Sequence, residues 1–329
     1  MNETPSTDPS SLEGSRSSPD FFRILCWVAA AATVATLAWI VIEIVRQAWP
    51  AIKEFGFGFI VGTSWTPNRG VFGVLPFLIG TIVSSVIAIL IALPLGLAVA
   101  IFLSEDFLPL PIRNTIRFVV ELLAAIPSVV YGLWGIAVVI PLVQKYGAVL
   151  ADFAAKDSGW VNETLGFTIP LFKGPSFGNS MLTASIVLAL MILPTITAIS
   201  RSALVAVPHT LREGAYALGA TRWEAIFGVI LPTAAPGIVA ATILALGRAM
   251  GETMAIAMLI GNSARLTWSL LYPSGTLAAL LANEFAEASG LQIASLMYAA
   301  LLLVVLTLAV NVIGEIVLKR AQKNVAGAL

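Results

Sequence analysis

Arg248 and Glu252 lie four residues apart in a stretch that is otherwise almost wholly apolar, Gly247-Arg248-Ala249-Met250-Gly251-Glu252-Thr253-Met254. That spacing puts both side chains on one face of a helix, where they can pair. The planar guanidinium offers a fork of N–H donors suited to an oxyanion. A carboxylate beside it offsets the charge and limits how tightly an anion is held, so such a site can release as well as capture. A centred arginine costs about 3 kcal/mol or more in lipid, a cost tolerated where the charge faces other helices, a partner or water. Gly247 and Gly251, also four apart, allow a neighbouring helix to come close. The spacing is equally compatible with a fixed ion pair that only orients helices.

Other chemistries lack their residues. Cys26 is the one cysteine and His209 the one histidine, far apart in the chain. That leaves no internal disulfide and little for a zinc site or a Cys-His nucleophile. No Gly-x-x-x-x-Gly-Lys-Ser/Thr run occurs, so nucleotide binding through a P-loop is not expected here. The net charge is zero, without the basic excess that nucleic-acid binding needs. No metal and no cofactor are expected on this chain.

The elements that must hold Arg248 are membrane helices. Of 329 residues, 58% are hydrophobic and 11% charged, against roughly 25% charged in soluble domains. Six segments reach the roughly 20 apolar residues a bilayer requires: 24–45, 72–103, 118–143, 181–200, 234–260 and 291–318. Helices are required because lipid offers no partners to open backbone groups. With the N-terminus inside, the inner segments hold ten Lys and Arg and the outer segments seven, with Arg248 within a span; that bias favours cytoplasmic termini. Trp49, Trp65, Trp160, Trp268 and Tyr272 then fall in or near the outer loops. Residues 46–71 and 144–178 read as substantial outer segments, and 276–288 as a short amphipathic helix that could receive a partner. Residues 1–20, rich in Ser, Pro, Asp and Glu, read as a disordered tail.

Between the fourth and fifth spans lies a polar, helix-forming stretch. Glu213-Gly214-Ala215 is followed after three residues by Gly219 and, nine residues later, by Val229-Ile230-Leu231-Pro232. This spacing resembles the EAA loop of ABC-importer permeases, with Gly214 in place of the first Ala and Val229 in place of Ile. The stretch around Arg248 resembles the signature of the phosphate-specific ABC permeases, as does Ile126-Pro127-Ser128-Val129-Val130-Tyr131-Gly132. Asn283-Glu284-Phe285-Ala286-Glu287-Ala288, Trp65-Thr66-Pro67-Asn68 and Met254 are similar to the PstC branch of that family. The resemblance covers residues from about 60 to the C-terminus.

The resemblance implies an all-α integral membrane fold of the type I importer permease kind. It has six transmembrane helices and a cytoplasmic coupling helix over roughly 211–227. The implied organisation is a tail at 1–20, a first helix and outer segment at 21–71, a permease core at 72–320 that includes the EAA-like loop at 211–232, and a tail at 321–329. It implies a plasma-membrane location in a bacterium or archaeon. The implied activity is one half of an inorganic phosphate pathway, with ATP hydrolysis and its Mg on a separate subunit. The implied partners are a PstA-like second permease, a PstB-like ATPase dimer and a PstS-like external phosphate-binding protein. In that reading Arg248, Glu252, Thr253 and Ser128 meet the anion. Glu213, Gly214, Ala215, Gly219, Leu231 and Pro232 couple to the ATPase: the Glu favours the helix start and Gly219 permits close backbone approach. A permease for sulfate or molybdate stays open at this level. So does a channel or secondary transporter working without ATP, although that leaves the EAA-like loop unexplained.

Overall fold

The structure is a computed structural model, and it describes residues 21–105, 107–156, 171–172 and 174–326. The expected tail at 1–20, Trp160 and Lys173 lie outside the described residues. The chain divides into two units, one ending at Arg46 and the other beginning at Gln47. In the first unit, helix α1 (Phe21–Phe55, continuing into the second unit) carries Phe22, Trp27, Leu37 and Trp39 with their side chains exposed. Apolar side chains exposed along a helix are what a lipid-facing span requires.

Among its described residues, the regular structure of the second unit is helical apart from one small hairpin. The order is α2 (Gly58–Val61), β1 (Trp65–Thr66), β2 (Val71–Phe72), α3 (Leu75–Ser104), α4 (Leu110–Ala125), α5 (Ser128–Trp134) and α6 (Ile140–Lys156). Then come α7 (Met181–Val205), α8 (His209–Ala217), α9 (Arg222–Ala225), α10 (Leu231–Gly251), α11 (Met254–Leu259), α12 (Leu277–Glu284) and α13 (Leu291–Ala326). Among the described residues, 6 helices are long and apolar enough to cross a membrane: 22–55, 75–104, 128–149, 181–205, 222–251 and 291–320.

Three of these follow the expected segments closely, the first runs on past 45 to Phe55, and two differ for a local reason. The third span starts at Ser128, not Phe118. Pro127 has no N–H and forces Ile126 into an extended conformation (φ −69°, ψ 128°), so α4 ends there. Residues 118–125 belong to α4, a separate amphipathic helix. The fifth span begins earlier, at Arg222, and breaks at Glu252 (φ −67°, ψ 128°), which leaves α11 as a short helix of its own. The expected outer loop at 144–178 is helical through Lys156, and α13 continues past 320 to Ala326.

The centre of the second unit is the packing of α3 on α7. Ala88, Ala92, Gly96 and Ala100 recur every fourth residue and are all buried. Thr197 Oγ1 donates to the Gly96 carbonyl at 3.3 Å. Small residues at this spacing let two backbones approach in lipid, where the hydrophobic effect adds little between helices. A second core joins Phe59, Trp65, Phe72 and Phe77 to Leu277, Leu280 and Tyr298. Phe59 stacks on Tyr298 at 4.5 Å, and Trp65 Nε1 donates to Glu284 Oε2 at 2.7 Å. The first turn of α12 is therefore core, and only residues from Ala282 to Glu287 leave an exposed edge there.

Candidate functional site

Arg248 sits three residues before the end of α10, level with the middle of α7. Its Nη1 donates to Thr195 Oγ1 on α7 at 3.3 Å. Helix α7 has 25 residues, so Thr195 lies within one turn of its middle. Arg248 opens onto a cleft of about 550 Å3 lined also by Thr195, Leu244, Gly247, Thr307 and Asn311. Thr307 and Asn311 are four apart on α13 and share a face. A hydroxyl from α7 and two polar side chains from α13 thus ring a guanidinium that is itself exposed in the chain. A side-chain carbon on Gly247 would meet the Asn311 amide at 3.3 Å, so α10 and α13 lie close there.

The expected partners of Arg248 are arranged differently. Glu252 terminates α10 in an extended conformation, so it does not share a helical face with Arg248. Among the described residues neither side chain has an ion-pair partner. Thr253 donates to the Gly251 carbonyl at 3.1 Å and stabilises the break itself. Ser128 opens α5 directly after the Pro127 break. Neither Thr253 nor Ser128 lines the Arg248 cleft. The two helices that follow the breaks, α5 and α11, pack on each other. A side-chain carbon on Gly132 would meet Met258 Sδ at 2.6 Å. Gly251 has open space around it and makes no close helix contact.

Thr195, Thr307 and Asn311 carry no sequence signal of their own. Other polar residues recur along α7 and α13, and only packing brings α7, α10 and α13 together.

The EAA-like stretch is a helix–turn–helix rather than one helix. The C-terminus of α8 closes with Ala220 N–H on the Ala215 carbonyl (3.1 Å) and Gly219 N–H on the Tyr216 carbonyl (3.0 Å), the paired bonds of a Schellman motif. That motif needs a left-handed residue, and Gly219 has φ +86°. Thr221 then caps α9: its hydroxyl accepts from Glu224 N–H, and Glu224 Oε2 accepts from Thr221 N–H at 2.7 Å. Pro232 has no N–H to return to the Gly228 carbonyl, and the ladder widens to a π-turn over Ile226–Ile230 before α10. Leu231 and Pro232 are the first residues of α10.

Within this stretch Ala215 is buried while Glu213 and Gly214 are exposed. Phe107, Trp223 and Phe227 form a ladder with ring centroids 5.2 and 5.9 Å apart. Leu218 is 92% exposed. Exposed apolar side chains rimmed by charge mark a protein-binding surface.

The loop is anchored by a residue the sequence does not flag. Arg212 pairs with Glu105, the residue that ends α3, at 2.6 Å, and both side chains are nearly buried. Its Nη2 also donates to the Leu204 carbonyl near the end of α7, at 2.6 Å. One guanidinium therefore ties α8 to both helices of the central pair. The partners are 107 residues apart in the chain, so no local spacing announces them.

Residues 92–325 match the family described as the binding-protein-dependent transport system inner membrane component. The chain is 41% identical over 293 residues to the phosphate transport system permease protein PstC of Mesorhizobium japonicum, covering 89% of this chain and 87% of that one. It is 41% identical over 289 residues to the PstC protein of Haemophilus influenzae, covering 88% and 89%. A probable PstC of Methanocaldococcus jannaschii is 37% identical over 287 residues, covering 85% and 87%. Among solved structures, a bacterial ABC transporter for alginate import superposes with a TM-score of 0.58 at 16% identity, over 89% of this chain and 96% of that one. The MetNI methionine ABC transporter superposes at 0.50 and 20% identity, over 76% and 94%. These structures share the fold. The chain belongs to the family of inner-membrane components of binding-protein-dependent transport systems.

Proposed function

We propose that this chain is one permease subunit of an ATP-driven inorganic phosphate importer. The observation that carries the reading is Arg248, a guanidinium level with the middle of α7 whose one hydrogen bond among the described residues is 3.3 Å to a hydroxyl. A saturated arginine would be a strut, whereas this one has donors to spare for an oxyanion. The curated relatives are named for phosphate transport, which agrees with that chemistry. Thr195, Thr307 and Asn311 complete the wall, and Glu252 is kept free to balance charge as the pathway opens.

In this reading both termini are cytoplasmic, and the chain forms half of the path beside a PstA-like subunit. A PstS-like protein delivers phosphate to the outer surface that includes residues 282–287. A PstB-like ATPase dimer, with ATP and Mg, receives the exposed face of residues 209–227. ATP binding draws α8, and through Arg212 the stroke reaches α3 and α7 together. The spans open outward, phosphate meets Arg248, and hydrolysis returns the path to the inside. No covalent chemistry occurs on this chain.

The test is uptake by the complex reconstituted in vesicles. Labelled phosphate should enter only with ATP and the loaded binding protein, and excess sulfate should leave the rate unchanged. Exchanging the charges (Arg248→Glu with Glu252→Arg) should abolish uptake, because the two side chains are not interchangeable members of a pair. Uptake driven by an ion gradient without nucleotide would refute the reading.

A further inference from the structure

Thr195, Ala198 and Ser202 recur at three- and four-residue spacing and share one face of α7. Thr195 opens onto the Arg248 cleft, while Ala198 and Ser202 line a second, smaller cavity of about 120 Å3. That cavity lies toward the Val205 end of the helix, the inner end in the orientation proposed above. Seven residues, about 10 Å of rise, separate Thr195 from Ser202. The remaining polar wall is Thr197 and Arg201 from α7 with Arg117 and Glu121 from α4.

Two guanidinium side chains therefore line one small space. Arg201 Nε donates to the Leu103 carbonyl at 3.3 Å, and Arg117 Nε donates to Glu121 Oε1 at 2.8 Å. Those bonds fix each group by its inner nitrogen. Among the described residues, the terminal NH2 groups of both have no protein acceptor. Glu121 is the carboxylate that lines the cavity with them. Two cations around one carboxylate leave a positive surplus that an oxyanion would relieve. At about 120 Å3 the cavity has room for a small tetrahedral anion.

We propose that Arg117, Arg201 and Ser202 form a second oxyanion site, which receives inorganic phosphate after it leaves Arg248 and passes it inward. The proposal rests on the reading of the Arg248 cleft as the anion path. The phosphodiester of a lipid headgroup presents the same chemistry, but the shared face of α7 links this cavity to the Arg248 cleft and favours the free ion.

Two measurements on the assembled complex test it. In the Arg248→Gln complex, with the ATPase saturated by nucleotide, inorganic phosphate should still raise the melting temperature. Adding R117Q and R201Q should remove that rise, and absence of any rise before they are added overturns the proposal. With Arg248 intact, R117Q/R201Q should slow uptake about tenfold in vesicles of zwitterionic lipid alone, as loss of a charge-assisted contact implies. The concentration of loaded binding protein giving half-maximal rate should not change, and R201K in place of R201Q should recover part of the rate. Full uptake by R117Q/R201Q in zwitterionic vesicles overturns the proposal. A deficit confined to vesicles containing anionic lipid overturns it too, and assigns the cavity to a headgroup. Normal uptake by the Arg248→Gln complex would instead refute the anion path itself.

Discussion

Two arginines of this chain are held in opposite ways. Arg212 makes a 2.6 Å ion pair to Glu105 and a 2.6 Å bond to the Leu204 carbonyl, with 13% of its side chain exposed. Arg248 makes one 3.3 Å bond to a hydroxyl and faces an open cleft. The first group commits both terminal nitrogens to protein partners and acts as a joint, while its buried Nε has no acceptor among the described residues. The second keeps most of its donors unspent and is available to a ligand. Burying a charge is tolerated only where partners replace water, so the engagement of the terminal nitrogens separates a structural role from the proposed transport role.

Breaking the joint should have the largest effect on the fold. Arg212→Ala leaves Glu105 buried without its partner, a loss of about 3–5 kcal/mol for a pair of this kind. The melting temperature of the complex should fall markedly. Glu105→Gln should do less harm, since the amide still accepts from Arg212, and combining both changes should cost less than their sum. Additive losses would mean that the two residues do not act as one unit.

Gly219→Val should cost about 1–2 kcal/mol, because a β-branched residue at φ +86° is strained. A side chain there meets open space, so steric conflict within this chain is not the cause. The diagnostic readout is ATP hydrolysis that continues while phosphate uptake fails. Hydrolysis and uptake falling in step would place the defect in folding alone.

The smallest effect sharpens the transport side. Thr195→Val removes the single contact of Arg248 while keeping its shape. The loss of about 1 kcal/mol should lower uptake roughly fivefold, with melting unchanged. A large drop in melting temperature would mean that the bond is structural.

The contrast also explains what could be read from the chain beforehand. Six apolar runs were legible because lipid imposes a length, and the EAA-like spacing was legible because Gly219 and Pro232 are needed where the backbone turns. The break at Pro127 had a local signal in the proline itself. The break at Glu252 did not: a Gly-Glu-Thr run reads as helix until α11 is seen packed on α5. Arg248 stood out by its charge, but Thr195 and Asn311 reach it from helices 53 and 63 residues away in sequence, and the Arg212–Glu105 joint spans 107. Such meetings depend on how helices pack, which no spacing within one segment encodes.

Phosphate uptake by the reconstituted complex carrying Arg248→Gln tests the central claim most directly. Uptake should fall about a hundredfold, as loss of a charged hydrogen-bonding group to an oxyanion implies, while the subunits assemble and melt as before. Uptake at the unaltered rate by an intact Arg248→Gln complex would contradict it.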